Sequence, residues 1–237
     1  MQKILLAGDS WGVGTFLRSG ESYKPTGIGL ESILSEKGYR VTNVSQAGAS
    51  NREIVDSILD QDLNLFDIII FLQTDPFRDH QQVEIPEDND SWKRALNQNF
   101  IDSLTEYNSL DMYFYDYFNR LYSELSSLNK PIICIGGHSV LHPCILEYKN
   151  LISEIPSVTQ LLLGSNVDDC YINDKDWIDQ LTYNPKFMKK FGNEFKDLVI
   201  LLGNKTEEIL KNWNDVHPTA SGYSNLADNL VELIKKI

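Results

Sequence analysis

Two short stretches carry residues that could do chemistry together. Gly8-Asp9-Ser10 follows directly on an apolar run, Ile4-Leu5-Leu6-Ala7, and Asn214-Asp215-Val216-His217-Pro218 stands near the other end of the chain. A serine hydroxyl is a poor nucleophile until a neighbouring imidazole takes its proton, so a serine and a histidine that meet can transfer an acyl group. Whether they meet depends on the elements that hold them. A short apolar run ended by small and polar residues reads as a buried parallel strand with a turn behind it. Ser10 then lies at the carboxyl end of that strand, where open α/β sheets collect functional groups. His217 precedes Pro218, which disfavours helix at the histidine and marks a loop, and Thr219 suits the N-cap of a following helix. A plain strand-to-helix loop would use Gly-Asp-Ser equally well, so the triplet alone does not settle its role.

The elements between these stretches alternate. Leu30, Ile33 and Leu34 have helical spacing, and Gly38 is placed to end that helix. Arg40 to Val44 reads as a second strand running into the small-residue loop 45–50. Ser50 with Glu53 forms a capping box for a helix through Ile54, Val55 and Ile58. Asp67 to Leu72 is the clearest buried strand, cut off by Pro76. Pro131 to Ile135 is a fourth strand, and Val158 to Leu163 a weaker fifth. Met112, Tyr115, Phe118, Leu121, Tyr122 and Leu125 recur three or four apart, as a helix packing on a sheet requires. Similar spacing runs from Phe187, Phe191 and Phe195 through Leu198, Leu202 and Ile209 to Trp213, and again through Leu226, Leu230, Leu233 and Ile234. Gly14 to Gly29 reads as an irregular crossing segment and 77–97 as a long loop insertion. The alternation predicts an α/β chain: one domain over 1–237, with three layers around a mostly parallel sheet of about five strands.

Composition narrows the function classes. The 42% hydrophobic content supports one substantial core. A net charge of -13, from 34 acids against 21 bases, argues against nucleic acid or an anionic membrane surface as partner. No run approaches the roughly 18 apolar residues of a membrane span. The apolar stretch behind Lys3 is too short for a secretory signal, so a cytoplasmic protein is expected. Cys134, Cys144 and Cys170 read as reduced thiols, being odd in number and without metal-like spacing. His80, His138, His142 and His217 also lack ligand spacing, and Gly12-Val13-Gly14 lacks the rest of a dinucleotide fingerprint. No metal or other cofactor is therefore expected. Gly136-Gly137-His138 reads as a loop, and the oligomeric state is not legible.

Taken together, the blocks resemble the SGNH (GDSL-like) hydrolase family. Gly8-Asp9-Ser10 matches the block that bears its nucleophile. Gly48, in Gln46-Ala47-Gly48-Ala49-Ser50-Asn51, looks like its second-block glycine, and Asn214 to Tyr223 looks like its last block. The matches follow the family's order over most of the chain. The resemblance implies a flavodoxin-like α/β/α sandwich and hydrolysis of a small-molecule or carbohydrate ester, such as an O-acetyl group on a sugar. It implies Ser10 as nucleophile and His217 as its general base, with the backbone N–H groups of Ser10 and Gly48 as oxyanion donors. Two other readings share the fold: a binding protein without turnover, and an acyltransferase using the same serine.

Two positions depart from the family pattern. Where the family has Gly-x-Asn-Asp, this chain has Gln73-Thr74-Asp75-Pro76. The Asp75 carboxylate then replaces an amide, and it accepts but does not donate unless protonated. Thr74 or Gln73 would supply the third oxyanion donor, or that donor is absent. Three residues before His217 stands Asn214 rather than an acid; Asp215 would orient the imidazole from a shifted position, or Asn214 would do so without charge. Asp9 reads as an acid that ties its loop. Trp11 beside Ser10, and Arg78 after the third strand, are the candidate substrate-binding residues. Arg78 would hold a carboxylate or phosphate, or make a surface ion pair.

Overall fold

A computed structural model describes residues 1–14, 16–19, 22–84, 93–137, 140–163, 175–195, 218 and 220–237. In chain order the first half contains β1 (Lys3–Ala7), α1 (Ser10–Val13), β2 (Phe16–Ser19), β3 (Ser22–Pro25), α2 (Leu30–Glu36), β4 (Arg40–Asn43), α3 (Asn51–Leu59) and β5 (Ile68–Gln73). A 3-10 turn (Pro76–His80) leads to β6 (Gln81–Glu84), β7 (Lys93–Leu96), α4 (Gln98–Leu104) and α5 (Leu110–Ser126). The remainder contains β8 (Ile132–Gly136), β9 (Leu151–Ile152), α6 (Val158–Leu163) and α7 (Lys175–Thr182). It closes with α8, described over 185–195, and α9 (Ala220–Ile234).

The central sheet runs β4-β1-β5-β8-β9, and every pairing in it is parallel. Numbered by appearance within the sheet, its strands read 2-1-3-4-5, the flavodoxin-like order. Strand period divides the core in two. Leu5, Ala7, Ile69, Phe71, Ile132 and Cys134 join the cluster that includes residues of α3, α4, α5, α7 and α8. Ile4, Leu6, Ile68, Ile70, Leu72, Ile133 and Ile135 join α2, α6 and α9 on the other face. β1, β5 and β8 are thus buried on both sides, which is why their sequences are apolar without alternation, whereas the edge strand β4 alternates exposed with half-buried residues. This is the three-layer α/β/α sandwich.

Local chemistry explains the boundaries. Glu53 N donates to Ser50 Oγ at 3.3 Å and Ser50 N donates to Glu53 Oε2 at 2.8 Å, so the expected capping box opens α3. Pro76 ends the reach of β5 and opens the 3-10 turn instead. The segment Val158 to Leu163 corrects the reading of a fifth strand there, because it is helix α6. Ser157 caps that segment through Gln160 N, which donates to its Oγ at 3.0 Å, and a short apolar run fits either element until such a cap decides it. The fifth strand is Leu151–Ile152, with only two residues and too short to show a pattern. Two expected irregular segments contain antiparallel hairpins, β2 with β3 and β6 with β7. Of the long aromatic helix, Phe187, Phe191 and Phe195 are described and buried. Leu198, Leu202, Ile209, Trp213 and Thr219 lie outside the described residues, as do His138 and Cys170.

Cys134 and Cys144 are free and buried. Burial pushes both thiols up, that of Cys144 to about 12. Among the described residues no helix is long and apolar enough to cross a membrane. α9 is held to the sheet by side chains such as Leu230, which has no exposed surface. Leu230→Ala should lower stability by about 2–5 kcal/mol, read as a reduced urea midpoint at unchanged slope.

Candidate active site

Strand order sets where a site can form. Between β1 and β5 the chain reverses its direction of travel across the sheet, and the loops beyond the carboxyl ends of these strands diverge to leave a crevice. Three loops meet there, after β1, β4 and β5. The first two are fastened by Val44 N donating to Leu6 O at 2.9 Å, Gln46 N to Gly8 O at 3.0 Å, and Asn43 Nδ2 to Gly12 O at 3.0 Å. Gly12 lies so close to Ser45 that an added Cβ would come within 2.7 Å of the serine Cβ. Gly48 turns the second loop at φ +81°, a conformation that side chains disfavour.

Asp9 joins the first and third loops. It is 5% exposed, and its Oδ1 accepts from Trp11 N at 3.0 Å, capping α1. Its Oδ2 accepts from the Thr74 hydroxyl at 3.0 Å and from Arg78 Nη1 at 2.9 Å. Both members of the Asp9–Arg78 pair are largely withdrawn from water, with side chains 7% and 13% exposed. Behind Thr74 stands Asn51, fully buried at the start of α3. Thr74 N donates to Asn51 Oδ1 at 2.9 Å, and Asn51 Nδ2 donates to Thr74 O at 2.9 Å and to the Tyr117 hydroxyl oxygen at 3.0 Å. Tyr117 in turn donates to Asp79. Burial, and then the Asp79 charge, raise the Tyr117 phenol well above its ordinary range, so it stays a donor.

Ser10 is half-buried as the first residue of α1. Among the described residues, no hydrogen bond uses the N–H of Ser10 or that of Gly48. The three groups expected as a further donor are engaged elsewhere. The Thr74 hydroxyl proton goes to Asp9. Gln73 Nε2 donates to Val140 O at 3.3 Å while its Oε1 accepts from Tyr122 at 2.6 Å. Asp75 Oδ1 accepts from Phe77 N at 3.0 Å and caps the 3-10 turn. In this arrangement the Thr74 hydroxyl is committed to Asp9, and Asp75 Oδ1 is occupied as an acceptor.

The two candidate substrate-binding residues also have other work. Arg78 is the buried partner of Asp9 rather than a surface residue awaiting an anion. Trp11 is 3% exposed, belongs to the core on the α9 side, and lines a small cavity with Asp9, Gln73, Thr74 and Arg78. The backbone carbonyl of Trp11 accepts from the Tyr223 hydroxyl at 2.9 Å, across 212 positions of sequence. The first turn of α9 is thereby tied to the residue after Ser10, and Pro218 is buried. His217, Asn214 and Asp215 lie outside the described residues.

Sequence reasoning missed Asn51 and Tyr117. Asn51 sits inside a capping-box sequence, where an asparagine looks like ordinary helix-start chemistry, and Tyr117 looks like one more ring of an amphipathic helix. No local signal distinguishes either.

Solved structures similar to the chain include a member of the lipolytic protein G-D-S-L family from Veillonella parvula DSM 2008, 14% identical over 100% of both chains with a TM-score of 0.41. Another is LAE5, an alpha/beta hydrolase enzyme from the metagenome of Lake Arreo, Spain, 13% identical over 98% of this chain and 94% of that one, TM-score 0.40. A third is a catalytic mutant of Axe2, an acetylxylan esterase from Geobacillus stearothermophilus, 16% identical over 98% and 93%, TM-score 0.37. No family model matches the chain, and no curated protein matches it.

Removing one member of a buried ion pair strands the other. Asp9→Ala should therefore cost about 3–5 kcal/mol in urea denaturation, and Asp9→Ala with Arg78→Met should recover most of that loss. Additive losses in the double variant would show that the two side chains act independently.

Proposed function

We propose that the chain is an SGNH-type serine esterase that cleaves an ester of a small molecule or sugar, with an O-acetyl group as the preferred acyl class. The observation that carries this reading is the setting of Ser10: it opens α1 just beyond the first strand at the switch point, beside a glycine loop fastened to that strand, with two backbone N–H groups uncommitted among the described residues. The ordered sequence blocks support it, as does the Tyr223–Trp11 bond that draws the start of α9 toward Ser10.

In the proposed reaction His217 removes the Ser10 proton as Oγ bonds to the ester carbonyl carbon. The carbonyl oxygen takes up negative charge and accepts from the N–H groups of Ser10 and Gly48. Collapse of this intermediate breaks the ester bond, and the imidazolium gives its proton to the departing alcohol. Water, deprotonated by His217, then attacks the acyl-enzyme and releases the acid, restoring Ser10. Asp215 or Asn214 holds the imidazole. Asp9 does not react; it fixes the turn that aims Ser10. A missing third donor costs about 3–4 kcal/mol of transition-state stabilisation, so turnover should be modest.

The second reading, a binding protein without turnover, is favoured by the carboxylate of Asp75 where an amide would donate. Hydrolysis of short-chain aryl esters and acetylated sugars separates the two. Ser10→Ala and His217→Ala should each lower the rate by at least about a thousandfold. Asp75→Asn should leave it unchanged or raise it, because Asn caps the turn as well as Asp and brings a donor. A fall of about a hundredfold in Asp75→Asn would show that the carboxylate itself is required. Sugar binding that survives Ser10→Ala, with no ester cleavage in the parent protein, would establish the second reading.

A further inference from the structure

A cavity of about 430 Å³ opens between α3, α4, α5 and the 3-10 turn, and it shares no lining residue with the small cavity around Asp9. Its size is that of a small-molecule site. Val55 and Leu121 contribute apolar surface, and Phe100 and Tyr107 contribute rings. The His80 imidazole stacks on Phe100 with centroids 3.8 Å apart and planes 9° from parallel. Burial lowers the pKa of this histidine, which keeps the stacked ring neutral near pH 7.

The polar groups of the cavity are unevenly committed. Glu124 accepts from Arg52 Nη1 at both oxygens, at 3.0 and 2.8 Å. Asp79 accepts from Arg52 N at 2.9 Å and from Tyr117. The two carboxylates are therefore already answered. Two donors are not. Tyr113 lines the cavity with a buried hydroxyl that has no hydrogen-bond partner. A hydroxyl in that state is costly, and few native structures leave one without a reason. The same hydroxyl feels the charges of Asp79 and Asp75 and, less strongly, that of Arg120; Asp79 and Arg120 also line the cavity. Arg120 donates from Nε to Asp116 O at 3.1 Å, and among the described residues its two terminal nitrogens make no hydrogen bond or ion pair.

An aromatic wall beside two donors without a protein partner among the described residues, the buried Tyr113 hydroxyl and the terminal nitrogens of the exposed Arg120 guanidinium, suits a flat ring that carries an anionic acceptor. We propose that this cavity binds a small aromatic carboxylate, its ring against Phe100 and Tyr107 and its carboxylate accepting from the Tyr113 hydroxyl and the Arg120 guanidinium. The site is separate from Ser10 and does not depend on the esterase reading.

Calorimetric titration of the full chain with benzoate and 4-hydroxybenzoate, beside the uncharged benzyl alcohol and the non-aromatic acetate, tests the proposal. The two aryl carboxylates should bind saturably at one site, and benzyl alcohol and acetate at least roughly tenfold more weakly. Arg120→Gln should weaken benzoate roughly tenfold. Tyr113→Phe should weaken it also, while raising the Tm of the ligand-free protein because the unanswered hydroxyl is gone. Ser10→Ala should leave benzoate affinity unchanged. No saturable benzoate binding, equal binding of benzyl alcohol, or affinity indifferent to Arg120→Gln would each overturn the assignment. A Tm lowered by Tyr113→Phe would overturn the role given to its hydroxyl.

Discussion

The carboxylate of Asp9 has left water and is answered on both oxygens, by the backbone of Trp11 on one side and by Thr74 and Arg78 on the other. Burying a charge is tolerable only when it is paired and hydrogen-bonded, and here the groups that satisfy it come from the ends of two different strands. That requirement holds the β1 and β5 loops in one relative position. Ser10, the next residue along, inherits its placement from this constraint. The same charge acts at longer range: together with burial it raises the phenol of Tyr223, keeping that hydroxyl a donor to Trp11.

A chain of hydrogen bonds extends from this point into the layer on the other side of the sheet. Thr74 is held by Asn51 at both its N–H and its carbonyl, Asn51 donates to Tyr117, and Tyr117 donates to Asp79. The crevice is therefore backed by a relay from buried Thr74 and Asn51 to half-buried Tyr117 and Asp79 in which each residue has a partner, an arrangement that favours one geometry over many. Electrostatically, Arg78 cancels Asp9 beneath Ser10.

Much of the fold was legible because the strands are apolar and sharply bounded. Ile68 to Leu72 with Pro76 behind it, and Ser50 paired with Glu53, leave little choice of element. Val158 to Leu163 was misread because a short apolar run has no period of its own, and the deciding cap, Ser157, is a residue that also ends strands. The β2–β3 hairpin has a turn-favouring Gly20 but flanks that do not alternate in polarity, and the sequence between β6 and β7 has no tight-turn dipeptide, so pattern did not reveal either. For the site, the place of Ser10 just beyond the first strand and the loop-tying role of Asp9 were readable from the sequence. Arg78 was not, since its ion pair is made with a residue 69 positions away. Asn51 and Tyr117 act through contacts that only the folded chain creates.

In the proposed esterase the turn held by Asp9 presents Ser10 as an activated nucleophile. Native protein treated with a serine-directed fluorophosphonate, digested and mapped by mass spectrometry, tests this most directly. One adduct should form, on Ser10, and it should form more slowly in His217→Ala. An unlabelled Ser10 in correctly folded protein, or an adduct confined to another residue, would contradict it.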